Sequence, residues 1–173
     1  MLDSLGLRAI LSDYGEIYLL GSYTLKLMVW RDLDITLAAD GLSLERFFEM
    51  GNRICTVVQA TSMFFCDTRA VSVENRPSGL YWGVVLATEA HHRWQWDIWA
   101  VSRDTCRGSV AYCKDILERL SPEKRSYILA IKSSVYDKPE YGRDYGSKDI
   151  YQAVLNHGVI TVADFDRYLQ TQK

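Results

Sequence analysis

The first hundred residues alternate between short apolar runs and amphipathic segments. Residues 16–20 are a compact, mostly apolar run that ends at a Gly-Ser pair, which predicts a buried strand followed by a turn. Residues 32–38 alternate between polar and apolar side chains, as a half-buried strand does. Residues 42–60 place apolar side chains on one broad helical face, and Ser43 is placed to cap that helix. The other elements expected here are helices over 3–13 and 22–30 and strands over 62–73, 80–88 and 93–101.

From Asp104 onward the pattern becomes helical. Ser121-Pro122 is a typical helix start, and Thr161 with Asp164 predicts another capped start. The sequence therefore predicts an α/β core over 1–103 and a C-terminal helical region over 104–173 that packs on the core. The helices expected in that region cover 105–119, 122–136, 147–157 and 162–170.

Composition and charge narrow the class of protein. The chain has 173 residues, of which 48% are apolar and 24% charged, as in ordinary globular domains. The formal net charge is −2, whereas a duplex-binding domain usually carries a basic excess, so we expect no extended nucleic-acid partner. No apolar window is long enough to span a membrane and no signal peptide is visible, so we expect a cytoplasmic protein. The four cysteines form no metal-binding spacing, and we expect reduced, mostly buried thiols.

Three aspartates are the candidate catalytic and metal-binding residues. Asp32 and Asp34 stand at positions i and i+2 of a predicted strand, so their carboxylates point to the same face. Asp97 is the single acid in a later strand rich in tryptophan, from which it can reach the same point. Carboxylates crowded together repel each other unless a cation lies between them, and a hard divalent ion prefers oxygen ligands. The pattern therefore predicts a site for a divalent metal ion at Asp32, Asp34 and Asp97.

Gly21 and Ser22 are the candidate nucleotide-binding residues that precede these acids. Gly21 allows close backbone approach at a tight turn, and Ser22 stands where the N-cap of the helix over 22–30 would stand. The N–H groups at a helix start favour phosphate. We therefore expect phosphate groups of a ligand to bind at this turn, next to the predicted metal.

The features described so far follow one order: a Gly-Ser turn, a short helix, an Asp-Leu-Asp strand and a distant strand aspartate. This order resembles that of the nucleotidyltransferase superfamily typified by DNA polymerase beta. The resemblance covers residues 21–35 and about 94–99 by motif, and about 5–103 by element order. It implies a mixed β-sheet core with flanking helices, Mg²⁺, and a nucleoside triphosphate such as ATP. It also implies roles for Asp32 and Asp34 as metal ligands and for Asp97 as the third ligand or the base that activates an acceptor hydroxyl.

Structural alternatives accompany each of these assignments. Asp32 and Asp34 would also suit a solvated strand edge, and Asp97 would also suit an ion pair with Arg93 or Arg103. Candidates for stacking a base are the aromatic residues Tyr81, Trp82, Trp94, Trp96 and Trp99, although their alternating strand spacing favours packing in the core or on a sheet face. His91 and His92 are expected in a surface turn.

Lys132 is a further nucleotide-binding candidate, because it lies among apolar residues of a helix and would offer a point charge to phosphate. The alternative is that its ammonium group extends past the apolar surface to reach water.

The function expected from the sequence is transfer of a nucleoside monophosphate from a nucleoside triphosphate to a hydroxyl. The expected acceptor is a small molecule or a protein side chain, and a homodimer would complete a small acceptor pocket. The alternative is a catalytically silent module of the same fold that senses a nucleotide or binds a partner protein.

Overall fold

A computed structural model of the chain describes residues 3, 6–71, 73, 76–87 and 93–172. Within them, seven helices accompany five strands of one mixed sheet. In chain order the elements are α1 Leu7–Ser12, β1 Glu16–Leu20, α2 Gly21–Leu25, β2 Asp32–Ala38, α3 Leu44–Val58, β3 Ser62–Asp67, β4 Gly79–Ala87, β5 Arg93–Val101, α4 Arg103–Arg119, α5 Pro122–Val135, α6 Ser147–His157 and α7 Val162–Thr171. The α/β fold class predicted from the sequence is confirmed.

The chain forms two compact units. The first contains the residues up to Thr24 together with Arg31–Cys113, and the second contains Leu25–Trp30 together with the residues from Lys114 onward. The division of the sequence into domains over 1–103 and 104–173 stays a prediction.

The sheet of the first unit has the strand order β1-β2-β5-β4-β3. β2 and β5 are parallel, and the other neighbouring pairs are antiparallel. The parallel pair requires a long crossover, and α3 with the β3–β4 hairpin supplies it. β2 therefore lies inside the sheet, with a partner strand on each side.

One face of this sheet carries the hydrophobic core of the first unit. Leu33, Ile35 and Leu37 of β2 point to this face and are buried. The helices α1 and α3 cover it with Leu11 and Phe47 among other apolar side chains. Because side chains alternate along a strand, Asp32 and Asp34 point to the opposite face, called the open face below, which Cys106 and Val110 of α4 cover in part.

The second unit is helical. Its buried side chains include Ile128, Ile131 and Val135 of α5 and Ile150 of α6. The predicted helix starts are confirmed there: Ser121 accepts a hydrogen bond from the Lys124 N–H, and Thr161 with Asp164 forms a capping box. In the first unit, Ser43 caps α3 as predicted.

The helix predicted over 22–30 is wrong in length, because α2 ends at Leu25. Lys26 takes a left-handed conformation at φ 56°, which stops a helix. The Arg125 guanidinium donates to the Leu25 and Lys26 carbonyls, and the Lys132 ammonium donates to the Leu27 carbonyl. These contacts satisfy the backbone without a helix and override the local propensity.

The strand predicted over 62–73 is too long, because β3 ends at Asp67. Thr68 accepts from the Gly79 N–H and donates to the Pro77 carbonyl, which turns the chain toward β4. His91 and His92 lie outside the described residues. No helix in the described part of the chain has the length and apolar character that a membrane crossing requires.

The four cysteines are free thiols. Cys106 and Cys113 are buried, whereas Cys55 and Cys66 are only partly so. The expectation of reduced thiols agrees with this structure, and the expectation of mostly buried thiols holds for two of the four.

Candidate metal and nucleotide site

Asp32, Asp34 and Asp97 come together on the open face of the sheet. Asp34 and Asp97 are register partners in the parallel pair β2–β5. One carboxylate oxygen of each aspartate lies within 4.8 Å of those of the other two. All three side chains are half-buried, so their charges are only partly hydrated. We call these three residues the acid cluster.

The position of β2 decides between two interpretations of the acid cluster. A solvated strand edge would leave Asp32 and Asp34 on an outer strand, but β1 and β5 flank β2. The edge interpretation is therefore wrong. Three converging carboxylates inside a sheet are an electrostatically unfavourable arrangement that a bound cation relieves. Their donor set of carboxylate oxygens fits a hard divalent ion.

The backbone of Gly21 lies against the Asp34 carboxylate. Leu20, the last residue of β1, is the register partner of Asp34, so Gly21 follows directly beside that side chain. A Cβ atom on Gly21 would stand 1.8 Å from Asp34 Oδ2, and the residue has φ 62°. Only glycine satisfies both conditions.

Ser22 is buried in the first turn of α2, with 6% of its surface exposed. It is a helical residue and not the N-cap that the sequence predicts, because α2 begins at Gly21. Its Oγ has no hydrogen-bond partner among the described residues. A buried polar atom without a partner is costly, so it favours a ligand at this turn. Because α2 has only five residues, its helix dipole is small. The backbone N–H groups of the turn would therefore attract phosphate more than the dipole would.

Two side chains that the sequence did not single out for this role donate hydrogen bonds to Asp97. The Tyr81 hydroxyl donates to Asp97 Oδ1 at 2.7 Å, and Gln95 Nε2 donates to the same oxygen at 3.1 Å. Both donors engage Oδ1, so Oδ2 is the oxygen available to a metal or an acceptor. Burial and the Asp97 charge raise the pKa of Tyr81, which keeps its hydroxyl a donor. Gln95 shares a strand face with Asp97, which the sequence shows, but finding Tyr81 requires the strand register.

The predicted ion-pair alternative for Asp97 is wrong. Arg103 pairs with Glu16 and Asp40 instead. Arg93 is exposed, and the described donors to Asp97 are Tyr81 and Gln95.

Gly83 makes room for the Tyr81 hydroxyl. Gly83 is the register partner of Asp97 on β4. A Cβ atom at this position would lie 2.6 Å from the Tyr81 hydroxyl oxygen, closer than side-chain atoms approach each other. The absence of a side chain at Gly83 therefore allows Tyr81 to reach across the strand to Asp97.

The aromatic residues of the sheet divide between its two faces. Trp82 and Trp96 are buried in the core, which confirms packing as their role. On the open face, the rings of Trp99, Tyr81 and Phe64 follow one another, with centroid separations of 4.8 Å and 6.4 Å. We call these three residues the aromatic strip.

Lys132 lies in the second unit and is fully buried there, with 0% of its surface exposed. Its ammonium donates to the Leu27 carbonyl at 2.9 Å and to the Tyr151 hydroxyl at 3.4 Å. It also lies 4.7 Å from the centre of the Trp30 ring. The alternative in which this lysine extends to water is wrong, and its role toward a nucleotide stays a prediction.

A pocket of about 250 Å³ lies at the other end of β2 and β5, away from the acid cluster. Asp40 and Arg69 line it, but Asp40 pairs with Arg103 and Arg69 pairs with Asp67. Its charged groups are therefore already neutralised within the protein. The chemistry of the acid cluster, and not the presence of a pocket, identifies the candidate site.

Comparison with solved structures finds the same fold in terminal uridylyl transferases and in a poly(U) polymerase. A cytoplasmic RNA terminal U-transferase is similar over 91% of this chain and 46% of its own, with a TM-score of 0.61 at 17% sequence identity. The Cid1 poly(U) polymerase bound to MgATP matches 91% of this chain and 48% of its own, with a TM-score of 0.61 at 16% identity. Terminal uridylyl transferase 4 from Trypanosoma brucei, with bound UPU, matches 90% of this chain and 54% of its own, with a TM-score of 0.61 at 16% identity.

The chain spans about half the length of these proteins. No protein-family model and no curated protein matches the sequence. The resemblance to the superfamily therefore rests on the fold and on the acid cluster that the fold brings together.

Proposed function

We propose that the protein is a Mg²⁺-dependent nucleotidyltransferase that transfers a nucleoside monophosphate from a nucleoside triphosphate to an acceptor hydroxyl. The single observation that supports this most is the acid cluster beside the backbone of Gly21. Carboxylates for a metal and backbone N–H groups for phosphate are two components that phosphoryl transfer uses in a protein.

Asp32 and Asp34 would hold the metal, with Asp97 as a third ligand or as the base. Bound Mg²⁺ would neutralise charge on the triphosphate and on the departing pyrophosphate. Oxygen ligands from carboxylates suit this ion, and a protein site of few carboxylates leaves room for phosphate oxygens. The site is therefore chemically matched to a metal–nucleotide complex.

The protein's own groups would orient the reactants. The N–H groups of the Gly21-Ser22 turn would bind the β- and γ-phosphates. The acceptor oxygen forms a bond to the α-phosphorus while the bond from that phosphorus to the pyrophosphate oxygen breaks. The acceptor proton would pass to Oδ2 of Asp97, while Tyr81 and Gln95 hold Oδ1 in place.

Three acceptor classes follow from two observations. The negative net charge and the sequence favour a small molecule or a protein side chain. One structural neighbour is named as an RNA terminal U-transferase, which adds RNA as a candidate. All three classes belong in the first assay.

The test is pyrophosphate release from each of the four nucleoside triphosphates with Mg²⁺, followed by ³¹P NMR, with candidate acceptors present. We expect release to require Mg²⁺ and to fall at least 100-fold in Asp34→Asn, because removing a preorganised charge from such a site has effects of this order. Asp104→Asn is the matched control, since Asp104 is exposed on α4 and outside the acid cluster. Triphosphate binding without release in the wild type would favour the silent sensing module.

Repulsion within the acid cluster gives a second test that needs no substrate. Asp34→Asn removes one of three crowded charges, so we expect the metal-free variant to be more stable in urea than the wild type. The same variant should lose Mg²⁺-dependent nucleotide binding. Unchanged or lower stability without metal, together with retained Mg²⁺ binding, would reject the metal site.

Lys132 receives its own test as a nucleotide-binding residue. Lys132→Met keeps an unbranched side chain and removes the charge, and we expect at least a ten-fold loss of triphosphate affinity. Lys124→Met, on the same helix, is the control. Equal affinities of the two variants would assign Lys132 a structural role alone.

A further inference from the structure

We propose that two copies of this chain associate through the outer edge of β3, with their β3 strands antiparallel about a two-fold axis at Phe64. The inference goes beyond the proposed function and does not depend on nucleotide chemistry. Three observations support it: an open strand edge without charge, backbone groups that point out from this edge, and exposed aromatic rings on both sides of it.

β3 is an edge strand without the features that keep such strands from pairing. It lies at the end of the strand order, and among the described residues β4 is the only strand that pairs with it. The segment Ser62–Cys66 contains no charged residue and no proline, whereas natural edges are usually protected by lysine, proline or an inward charge. The opposite edge differs, because β1 begins at Glu16 and its Tyr18 packs beside Cys106 of α4.

The hydrogen-bond pattern shows which backbone groups of β3 face away from β4. The Thr68 N–H donates to the Gly79 carbonyl at 2.9 Å, and these two residues continue the β3–β4 register. Successive residues of an antiparallel strand face one neighbour and then the other. The even-numbered residues of β3 therefore bond to β4, whereas the N–H and C=O groups of Met63 and Phe65 point to the outer edge.

Exposed phenylalanines flank this edge on both faces of the sheet. Phe64, at the end of the aromatic strip, points to the open face and is 63% exposed. Phe48 of α3 lies on the core side, with its ring 4.7 Å from the Phe65 ring, and is 45% exposed. Aromatic residues are enriched in protein–protein interfaces, and an open strand edge is a template for pairing with another chain.

Two-fold symmetry defines how two β3 strands would pair. An axis perpendicular to the sheet keeps the open face of one copy beside the open face of the other, so partners come from the same face. With the axis at Phe64, this residue meets its own copy, at a position where opposed side chains are closest. Met63 then exchanges backbone hydrogen bonds with Phe65 of the partner subunit, which gives about four bonds across the interface.

Side-chain chemistry favours this axis over its neighbours. An axis at Met63 would place Phe64 opposite Ser62, and an axis at Phe65 would place Met63 opposite Asp67. Asp67 is charged and already pairs with Arg69 in its own chain. Of the three axes, only the one at Phe64 places this exposed ring opposite another ring, and aromatic pairs across strands are stabilising.

The size of the contact predicts a dimer that dissociates on dilution. Phe64 and Phe48 together expose roughly 200 Å² per protomer, since an aromatic side chain carries about 150–250 Å². A stable interface buries about 800 Å² per partner, and the paired strands supply part of the remainder. In such a dimer the two acid clusters lie on one face of a continuous sheet, five strand spacings or roughly 24 Å apart.

Sedimentation velocity between roughly 1 and 200 µM protein tests the association. Phe64→Lys places two like charges opposite each other at the axis. Ile160→Lys is the matched control, because Ile160 is an apolar residue of the second unit with 50% exposure. We expect the wild type and Ile160→Lys to approach twice the monomer mass, and Phe64→Lys to raise the dissociation constant at least ten-fold.

Disulfide formation tests the register. In a Cys55→Ser and Cys66→Ser background, Phe64→Cys places two thiols on residues about 4.5 Å apart between Cα atoms, a separation that a disulfide spans. Ser62→Cys lies on the same strand and face but would stand roughly 14 Å from its own copy, so it is the control. We expect mild oxidation to give a covalent dimer of the first variant and none of the second.

Three results would overturn the proposal: equal association of the wild type and Phe64→Lys, crosslinking of Ser62→Cys as complete as that of Phe64→Cys, or a mass that grows beyond two copies, because an isologous contact closes at two. A wild type that stays monomeric over the whole concentration range would also overturn it, and would leave the β3 edge to a different protein partner.

Discussion

Asp34 is the most constrained residue of the candidate site. The Gly21 backbone lies against one side of its carboxylate, and Asp97 is its register partner on the other. A change at Gly21 therefore acts on Asp34 directly. Both the small space beside Asp34 and the left-handed backbone conformation therefore explain why a glycine stands at position 21, before the Asp-Leu-Asp strand.

Gly21→Ala is expected to destabilise the protein and to abolish metal-dependent nucleotide binding. The added Cβ would stand 1.8 Å from Asp34 Oδ2. Gly41→Ala is the matched control, since Gly41 has φ 68° and open space around it, so it bears only the left-handed strain of about 1–2 kcal/mol. Urea melts of both variants measure the difference. Equal destabilisation would show that the contact with Asp34 imposes no constraint.

Tyr81 and Gly83 are expected to act as one unit. Tyr81→Phe removes a donor to Asp97, and Gly83→Ala displaces the same hydroxyl, so each should lower the transfer rate about ten-fold, or roughly 1.4 kcal/mol. The double variant should be no slower than either single variant. Tyr18→Phe, a hydroxyl deletion on β1, is the control.

Additive losses in the double variant would contradict this coupling between Tyr81 and Gly83. A loss in Gly83→Ala alone, with Tyr81→Phe fully active, would show that Gly83 serves the backbone of β4 and not the position of Asp97.

The acid cluster was predictable from residue spacing, because its geometry follows from the side-chain alternation of a strand and from one strand pairing. Asp32 and Asp34 share a face by the period of a strand, and Asp97 joins them through a single strand pairing. The hydrogen-bond partners of Asp97 were harder to predict from the sequence. Tyr81 reaches Asp97 diagonally from β4, a contact that depends on strand register and on the missing side chain of Gly83.

The secondary-structure elements follow local signals wherever those signals are strong. The strands β2 and β5 begin and end at the predicted residues, 32–38 and 93–101. The capped helices α3, α5 and α7 also begin at or near the predicted residues, since a cap satisfies N–H groups that the helix itself leaves open. The end of α2 was not predictable, because the side chain of Arg125, far along the chain, binds the carbonyls of Leu25 and Lys26 at the end of this helix.

The capping box of α7 gives a pH-dependent prediction. The Thr161 hydroxyl lowers the pKa of Asp164 below its ordinary value of 3.8, with further help from the Thr161 N–H and the charge of Arg167. The ionised carboxylate therefore stabilises the fold above about pH 4, and this contribution is lost as the pH falls through the lowered pKa.

Asp164→Asn is expected to lower the melting temperature by a constant amount between pH 5 and 7. The difference from the wild type should shrink below about pH 4, because the wild-type carboxylate then becomes neutral as well. Asp166→Asn removes a neighbouring charge outside the capping box and serves as the control. A difference that stays constant down to pH 3 would contradict the role of the charged cap.

At the scale of the whole molecule, the type of fold was predicted from the sequence, and the division into 1–103 and 104–173 stays a prediction. The α/β core followed by helices is present, but residues 25–30 belong with the C-terminal unit although they lie between two elements of the sheet. The grouping of residues 25–30 with the C-terminal unit depends on tertiary contacts of Arg125 and Lys132. The hydrophobic periodicity of the sequence does not reveal such contacts. The homodimer and the small-molecule acceptor stay predictions.

The central claim is that the acid cluster and the Gly21-Ser22 turn bind a metal–nucleotide complex. The most direct measurement is a thermal melt of the wild type and of Asp34→Asn with Mg²⁺, with each nucleoside triphosphate, and with both together. At about 100 times the dissociation constant, binding adds roughly 2.7 kcal/mol, which raises the melting temperature of a chain of this size by about 5–10 °C. We predict that the wild type shows this rise only when metal and triphosphate are both present, and that Asp34→Asn does not show it. No rise with any triphosphate, or an equal rise in Asp34→Asn, would contradict the claim.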